Sequence, residues 1–290
     1  MSTRLLLLNI LIPILLVIGC KVSNNTSKTL SSEQDRTVYY PSIISTEQFS
    51  ENSISFTKDE STLFLSRTTG WEYQSGHLLV KKNGIYTSLD SIQMLDTIYN
   101  GAINPSGNKI VFCRKNDGKE EILMLLKEEG KWSKTINLSE TSGIYGGYFY
   151  WWNDTELYFY VPENNGDIVS GKLQGNQLQI TDRLEELNTE AGTEFSSFME
   201  RKKEFIIFTR YLEGNIDKQG FFISFNTNTA ASPEWSRPQK VQSLPYGWNP
   251  YIIEQEQLFL YSDGEDIIAV PMKQLNLEIN ALRKAGLEKN

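Results

Sequence analysis

The chain has 290 residues, a net charge of −8 and an aromatic content of 12%. This length allows one large domain or two small ones, and the composition is that of a folded protein. The acidic balance argues against nucleic-acid binding, and a single histidine with two cysteines excludes histidine-rich metal sites and multi-disulfide scaffolds. We therefore expect no nucleic-acid partner, no metal and no cofactor.

The first residues have the layout of a secretory signal peptide. One arginine precedes an apolar run that ends at Ile18, and this run is shorter than the roughly 20 residues a membrane-spanning helix needs. The sequence Val-Ile-Gly-Cys that ends at Cys20 resembles the bacterial lipobox, in which the cysteine is acylated after residues 1–19 are removed. We expect lipidation at Cys20, with an uncleaved anchor or an ordinary signal peptide as the alternatives.

Residues 20–37 are rich in serine, threonine and asparagine and are predicted to form a flexible tether. Several acyl chains on one cysteine would hold such a tether stably on a membrane. The expected location is therefore the bacterial cell envelope, with the folded domain in the periplasm or at the cell surface. The other cysteine, Cys113, lies in an apolar stretch and is expected to be a buried small hydrophobic residue.

Five segments share a short apolar strand that follows a polar turn. They are TLFLSR at 62–67, KIVFCR at 109–114, ELYFYV at 156–161, FIIFTR at 205–210 and QLFLYS at 257–262. Equivalent residues in successive copies lie 47, 47, 49 and 52 positions apart. Because a period of about 40–50 residues is typical of propeller blades, we predict an all-β fold, a β-propeller of about five blades.

The ends of the chain complete this prediction of one domain over residues 38–290. Each copy has room for four strands, but the fifth copy lacks a fourth, and the segment 39–44 precedes the first inner strand. We expect this N-terminal segment to pair with the fifth blade and close the ring, which removes exposed sheet edges. An open β-sandwich and a six-bladed ring are the alternatives. From residue 273 onward, apolar residues at helical spacing predict a short C-terminal helix.

The segment NPSGNKIVFCRKNDGKEEILMLLKEEGKWSKTINLSE resembles the WD40-like PD40 repeat of TolB-type propellers, and Trp235-Ser236-Arg237-Pro238 repeats its last element. The resemblance covers residues 39–284, with departures such as Ser106 at the position of the turn aspartate. It implies the propeller fold and says little about chemistry, since propellers serve enzymes, sensors and scaffolds alike. Because TolB-type propellers make protein–protein contacts in the envelope, the resemblance also implies a binding role.

Catalytic residues are scarce in this sequence. A Ser-His-Asp triad would have to use His77, which we interpret as structural. A propeller glycoside hydrolase would need two carboxylates facing one sugar, and Glu194 is the single acid on an inner strand, with Glu51 just ahead of another. We therefore expect a protein without enzymatic activity and keep a glycan-acting enzyme as the alternative.

Aromatic residues at turns and strand ends are the candidates for a binding face. Trp71 and Tyr73 lie in a predicted long turn of the first blade, and Tyr246 and Trp248 lie near the fifth inner strand. Exposed aromatics at such positions concentrate binding energy, and loops on a rigid scaffold usually carry specificity. The sequence thus predicts a module that binds an envelope protein or a polysaccharide and reaches the membrane through its lipid.

Overall fold

The computed structural model describes residues 35–70, 73–88, 97–228 and 233–287. Within these residues, the strands form five four-stranded antiparallel sheets that are the blades of a five-bladed β-propeller. The inner strands of successive blades pack against one another around the ring, and the fifth packs against the first. The predicted fold class and blade number are confirmed.

The four strands of a blade are here called A to D from the centre outward. Blade 1 contains β2 (Ser50–Phe56), β3 (Thr62–Thr69), β4 (Tyr73–Lys82) and β5 (Ile85–Ser88). Blade 2 contains β6 (Tyr99–Ile103), β7 (Lys109–Asn116), β8 (Lys119–Glu128) and β9 (Lys131–Asn137). Blade 3 contains β10 (Gly147–Trp151), β11 (Glu156–Val161), β12 (Asp167–Gln174) and β13 (Gln177–Asp182). Blade 4 contains β14 (Thr193–Met199), β15 (Phe205–Tyr211), β16 (Gly220–Phe225) and β17 (Gln239–Lys240). Blade 5 contains β18 (Trp248–Ile253), β19 (Leu258–Ser262), β20 (Ile267–Pro271) and, as its D strand, β1 (Thr37–Val38).

The N-terminal strand closes the ring, as predicted. Thr37 pairs with Ala269 and Val38 with Ile268, and the N–H of Tyr39 extends the ladder by donating to the carbonyl of Ile267. The pairing begins at Thr37, at the end of the segment predicted as a tether. The chain's first and last strands therefore share one blade, and β1 covers part of the outer edge of β20.

The middle strands are buried on both sides. In β3, the consecutive residues Leu63, Phe64 and Leu65 are all fully buried. Because successive residues of a strand point to opposite faces, such a run is possible only where both faces are covered, here by the neighbouring blades. The apolar segments that reveal the repeat in the sequence are thus the packed centres of the blades.

Two α-helices are present in the described part of the chain. The short α1 (Leu138–Ser142) connects blades 2 and 3. The C-terminal α2 (Met272–Leu287) buries Leu275 and Ile279 against the core, and its Leu282 carbonyl accepts from Gln239. Neither helix combines the length and apolarity needed to cross a membrane.

Candidate binding face

The antiparallel blades give the ring two distinct faces. Strands A and C of each blade run in one direction and strands B and D in the other. The A–B and C–D turns consequently lie on one face, which we call the A–B face. The B–C turns and the connections from strand D to the next strand A lie on the opposite face, which we call the B–C face.

The A–B face is joined from blade to blade at every junction. Each contact links an A–B turn or its flanking strand to its neighbour in the next blade: Lys58 N to Pro105 O at 2.9 Å, Ser106 N to Asp154 Oδ1 at 2.9 Å, Lys203 Nζ to Glu156 Oε1 at 2.5 Å, Arg201 Nε to Glu254 Oε1 at 3.1 Å, and Glu254 N to Glu60 Oε1 at 2.9 Å. Lys203 forms an ion pair with Glu156, and Arg201 forms one with Glu254, so most of the charged side chains in these contacts already have partners within the ring. These contacts link each blade to the next on this face.

On the B–C face, two connections repeat a motif that the sequence analysis missed. The segments Ser45–Glu51 and Asn188–Glu194 both read Ser/Asn-Thr-Glu-x-x-x-Glu. The first residue binds strand C of the preceding blade: Ser45 Oγ accepts from Ile267 N at 3.0 Å, and Asn188 Oδ1 accepts from Ile168 N at 2.9 Å. The motif could have been found in the sequence as a repeat that precedes the inner strands of the non-adjacent blades 1 and 4.

The last glutamate of each motif is a fully buried structural acid. Glu194 accepts from the N–H of Thr189 at 3.0 Å and from its hydroxyl at 2.9 Å, and its Oε1 lies 2.5 Å from Arg210 Nε. Glu51 makes the same contacts to Thr46, with Arg67 Nε at 3.3 Å. Glu194 and Glu51, the two acids considered for a hydrolase, are thus buried in separate junctions between blades.

Glu51 differs from an ordinary surface carboxylate in its proton affinity. Burial raises the pKa of Glu51 to about 7, because the loss of hydration outweighs the hydrogen bonds from Thr46 and the attraction of Arg67. The nearby carboxylate of Asp266 acts in the same direction. This acid therefore titrates near neutral pH at the junction of blades 5 and 1.

Two of the predicted binding residues come together on the B–C face. The rings of Tyr246 and Trp248 are 6.4 Å apart in an edge-to-face arrangement. The indole N–H of Trp248 donates to the carbonyl of Asn52 at 2.9 Å, which fixes the ring. A Cβ atom added to Gly264 would lie 3.0 Å from Trp248, so the B–C turn of blade 5 packs against the indole. Tyr246 remains 39% exposed.

Tyr211 extends this pair, and Ile216 is exposed in the turn that follows Tyr211. Thr209 donates to the carbonyl of Gly247 at 3.0 Å, and Tyr211, two residues further along the same strand, lies on the same face of that strand. Tyr211 is 41% exposed, and Ile216, in the turn that follows it, is 81% exposed. We call Tyr211, Ile216, Tyr246 and Trp248 the aromatic patch. The exposure of these side chains has no signal in the sequence.

The other predicted residues are placed differently. Tyr73 begins strand β4 and pairs with Thr69, so its assignment to a turn was wrong. The B and C strands of blade 1 extend further toward the B–C face than the turn-like composition suggested. Trp71 and Cys20 lie outside the described residues.

His77 contacts a neighbouring hydroxyl on its own strand, with Ser75 Oγ 2.7 Å from Nε2. Ser75 itself is buried, with 7% of its surface exposed. Such a pair at positions i and i+2 is a contact within one strand face, and its hydroxyl is not presented to a substrate. Among the described residues, no group of three or more His, Cys, Asp or Glu side chains is arranged to hold a metal.

The two faces differ in charge. In the described turns and connections of the B–C face, twelve carboxylates are present: Glu47, Asp117, Glu140, Glu163, Glu185, Glu186, Glu190, Glu213, Asp217, Asp263, Glu265 and Asp266. Two cations, Arg183 and Lys218, lie among them. The described A–B and C–D turns of the opposite face carry nine carboxylates and five cations. The described turns and connections of the B–C face therefore carry a larger excess of negative charge than the described turns of the opposite face.

No protein-family model and no curated protein matches the chain. Several solved structures are similar in backbone. TolB from Acinetobacter baumannii aligns over 77% of this chain and 54% of its own, at 12% identity and a TM-score of 0.46. A chain of the nidogen/laminin complex aligns over 77% and 76%, at 12% identity and a TM-score of 0.48. The Bacteroides ovatus xyloglucan PUL protein GH43B aligns over 78% and 49%, at 10% identity and a TM-score of 0.48. The aligned region spans about half of TolB and of GH43B, and identities this low carry no conclusion about activity.

Proposed function

We propose that the protein is a lipid-anchored binding module of the bacterial cell envelope that holds an envelope protein or a polysaccharide on its B–C face. The aromatic patch is the observation that carries this proposal. Three of its four side chains are among the most exposed large apolar residues of the described chain, and the fourth is fixed by a hydrogen bond. Exposed aromatics on a rigid scaffold are typical of binding surfaces.

The direction of the N-terminal strand supports the anchoring part of the proposal. As the D strand of blade 5, β1 runs from the A–B face toward the B–C face. The described chain that precedes Thr37 therefore enters the domain at the A–B face, on the opposite side from the aromatic patch.

Metabolic labelling with an alkyne fatty acid tests the anchor. We expect the full-length protein made in a bacterial host to incorporate the label and a Cys20→Ser variant to lose it. The matched control is Cys113→Ser, which removes the chain's other cysteine and should keep the label. Label retained in Cys20→Ser would contradict lipidation at this residue.

Photo-crosslinking in cells tests the binding face. A benzophenone amino acid at Ile216 should give a light-dependent adduct, whereas the same group at Leu277, which is 63% exposed on α2, should not. Tyr246→Ala should reduce the Ile216 adduct because it removes another exposed side chain of the proposed binding surface. Equal adducts from both sites, or none from Ile216, would contradict a binding role for this face.

A further inference from the structure

The aromatic patch lies between two acidic turns. The turn of blade 4 that follows Tyr211 carries Glu213 and Asp217, and the turn of blade 5 against which Trp248 packs carries Asp263 and Glu265. An apolar surface bordered in this way favours occupants that satisfy both the rings and the carboxylates.

Two of these carboxylates are available for a partner. Within the described residues, the side chains of Glu213 and Glu265 are exposed and make no hydrogen bond or ion pair. By contrast, Asp263 accepts from the N–H groups of Glu265 and Asp266 at 2.9 and 2.8 Å, so it shapes its own turn. The acids that border the A–B turns, such as Glu156 and Glu254, are already in ion pairs.

Within the described part of the chain, two cations on or beside the blade 4 turn are not seen to pair with its carboxylates. Lys218 is exposed on the blade 4 turn. Lys240 donates to the main-chain oxygen of Asp217 at 2.6 Å and not to the carboxylate of Asp217. With twelve carboxylates against two cations on the described turns and connections of this face, the local field attracts positive charge.

We propose that the occupant of the patch is a basic protein segment, whose lysine or arginine side chains lie on Tyr246 and Trp248 and reach Glu213 and Glu265. This inference rests on the proposed binding function. A cation over an indole or phenol ring is attracted by the ring's quadrupole, and the aliphatic part of a long basic side chain covers apolar surface. A neutral sugar would stack on the rings and donate hydroxyl groups to the carboxylates but would leave their negative charge uncompensated, and an acidic polysaccharide would be repelled.

Defined probes distinguish these occupants. The probes are a tryptophan-containing hexapeptide rich in lysine and arginine, the same peptide with glutamate at the basic positions, and a neutral chitin hexasaccharide, each with the full-length protein in a non-ionic detergent. We expect the basic peptide to bind, with affinity falling about tenfold or more between about 50 and 300 mM NaCl, because exposed charges are screened. Binding of the hexasaccharide in place of the basic peptide would overturn the inference.

Charge reversal on this chain separates a specific site from bulk attraction. Glu213→Lys with Glu265→Lys should weaken binding of the basic peptide about tenfold or more. Glu128→Lys with Glu129→Lys is the matched control, since it changes the net charge equally at an exposed C–D turn on the opposite face. An equal loss in both double variants would show attraction to net charge alone and overturn the inference.

The outcome also distinguishes this inference from the proposed function. The partner segment crosslinked to the benzophenone at Ile216 can be sequenced, and we expect it to contain several lysine or arginine residues. A crosslinked segment that is neutral or acidic would overturn the basic-partner inference and leave the binding module in place. Absence of any adduct at Ile216 would remove both.

Discussion

Replacement of Glu194 by glutamine tests whether the buried acid of blade 4 is structural. The carboxylate is completely buried and lies 2.5 Å from Arg210 Nε, while Thr189 supplies two hydrogen bonds. Glutamine keeps an acceptor for Thr189 but removes the charge that balances Arg210. Breaking a buried ion pair from one side costs about 3–5 kcal/mol, because the remaining charge is left uncompensated.

The surroundings of Arg210 place the expected loss at the lower end of this range. Its guanidinium also donates to the carbonyl of Leu187 at 2.9 Å and lies 4.3 Å from the ring centre of Phe222. These contacts retain part of its stabilisation, so we expect Glu194→Gln to lower the free energy of unfolding by about 3 kcal/mol. For a domain of this size that corresponds to a fall in melting temperature of about 6–12 °C.

Urea unfolding followed by circular dichroism measures the change. Glu190→Gln is the matched control, since Glu190 is an exposed acid in the same connection and should change stability by less than about 0.5 kcal/mol. Loss of less than about 1 kcal/mol in Glu194→Gln would refute the structural role. An unchanged or higher stability would instead fit a strained catalytic acid and revive the hydrolase alternative.

Three further predictions concern the ring closure and the buried thiol. Because the folded-state pKa of Glu51 is raised to about 7 from 4.5, its contribution to stability is present below about pH 4.5 and lost as the pH rises through 7. Urea unfolding across this range should therefore show a decline that Glu51→Gln lacks, and parallel curves would contradict it. Ile44→Ala should lower the free energy of unfolding by about 2–4 kcal/mol, because it creates a cavity at a fully buried site. The control Ile85→Ala, at a half-exposed site, should lower it by less than about 0.5 kcal/mol in the same assay, and similar losses in both variants would contradict a packed closure. Burial raises the pKa of the Cys113 thiol, so iodoacetamide should modify it slowly in the native protein and rapidly in urea, as mass spectrometry would show; rapid native labelling would contradict this.

The fold could be predicted because the sequence repeats the part of each blade that is most constrained. Strands such as β3 are buried on both faces, so their apolar character recurs at a spacing of 47 to 52 residues and marks the blades. The missing fourth strand of blade 5 identified the ring closure by the same count. The extent of the strands of blade 1 could not be predicted, because Tyr73 pairs with Thr69 in a stretch that has the polar composition of a turn.

The candidate site was only partly predictable. Tyr246 and Trp248 stand close in the chain, so their contact follows from local sequence, but Tyr211 joins them through the bond from Thr209 to Gly247 between two blades. Likewise, the sequence marks Glu194 as an acid on an inner strand without showing that Arg210 neutralises it. Contacts between blades depend on the ring geometry, which a single sequence does not display.

The contacts that follow β1 fasten the N-terminal segment to the ring. A pull on the proposed lipid tether would load β1, which pairs over only two residues. The chain after it is held more firmly: Ile44 is fully buried, Ser45 bonds strand β20 through Ile267, and Glu51 joins Thr46 to Arg67. If the pairing of β1 were lost, the chain up to Val38 would therefore detach from blade 5 while the contacts of Ile44, Ser45 and Glu51 remained. The aromatic patch would keep its support, because Trp248 is bonded to Asn52 on the inner strand that this junction holds in place.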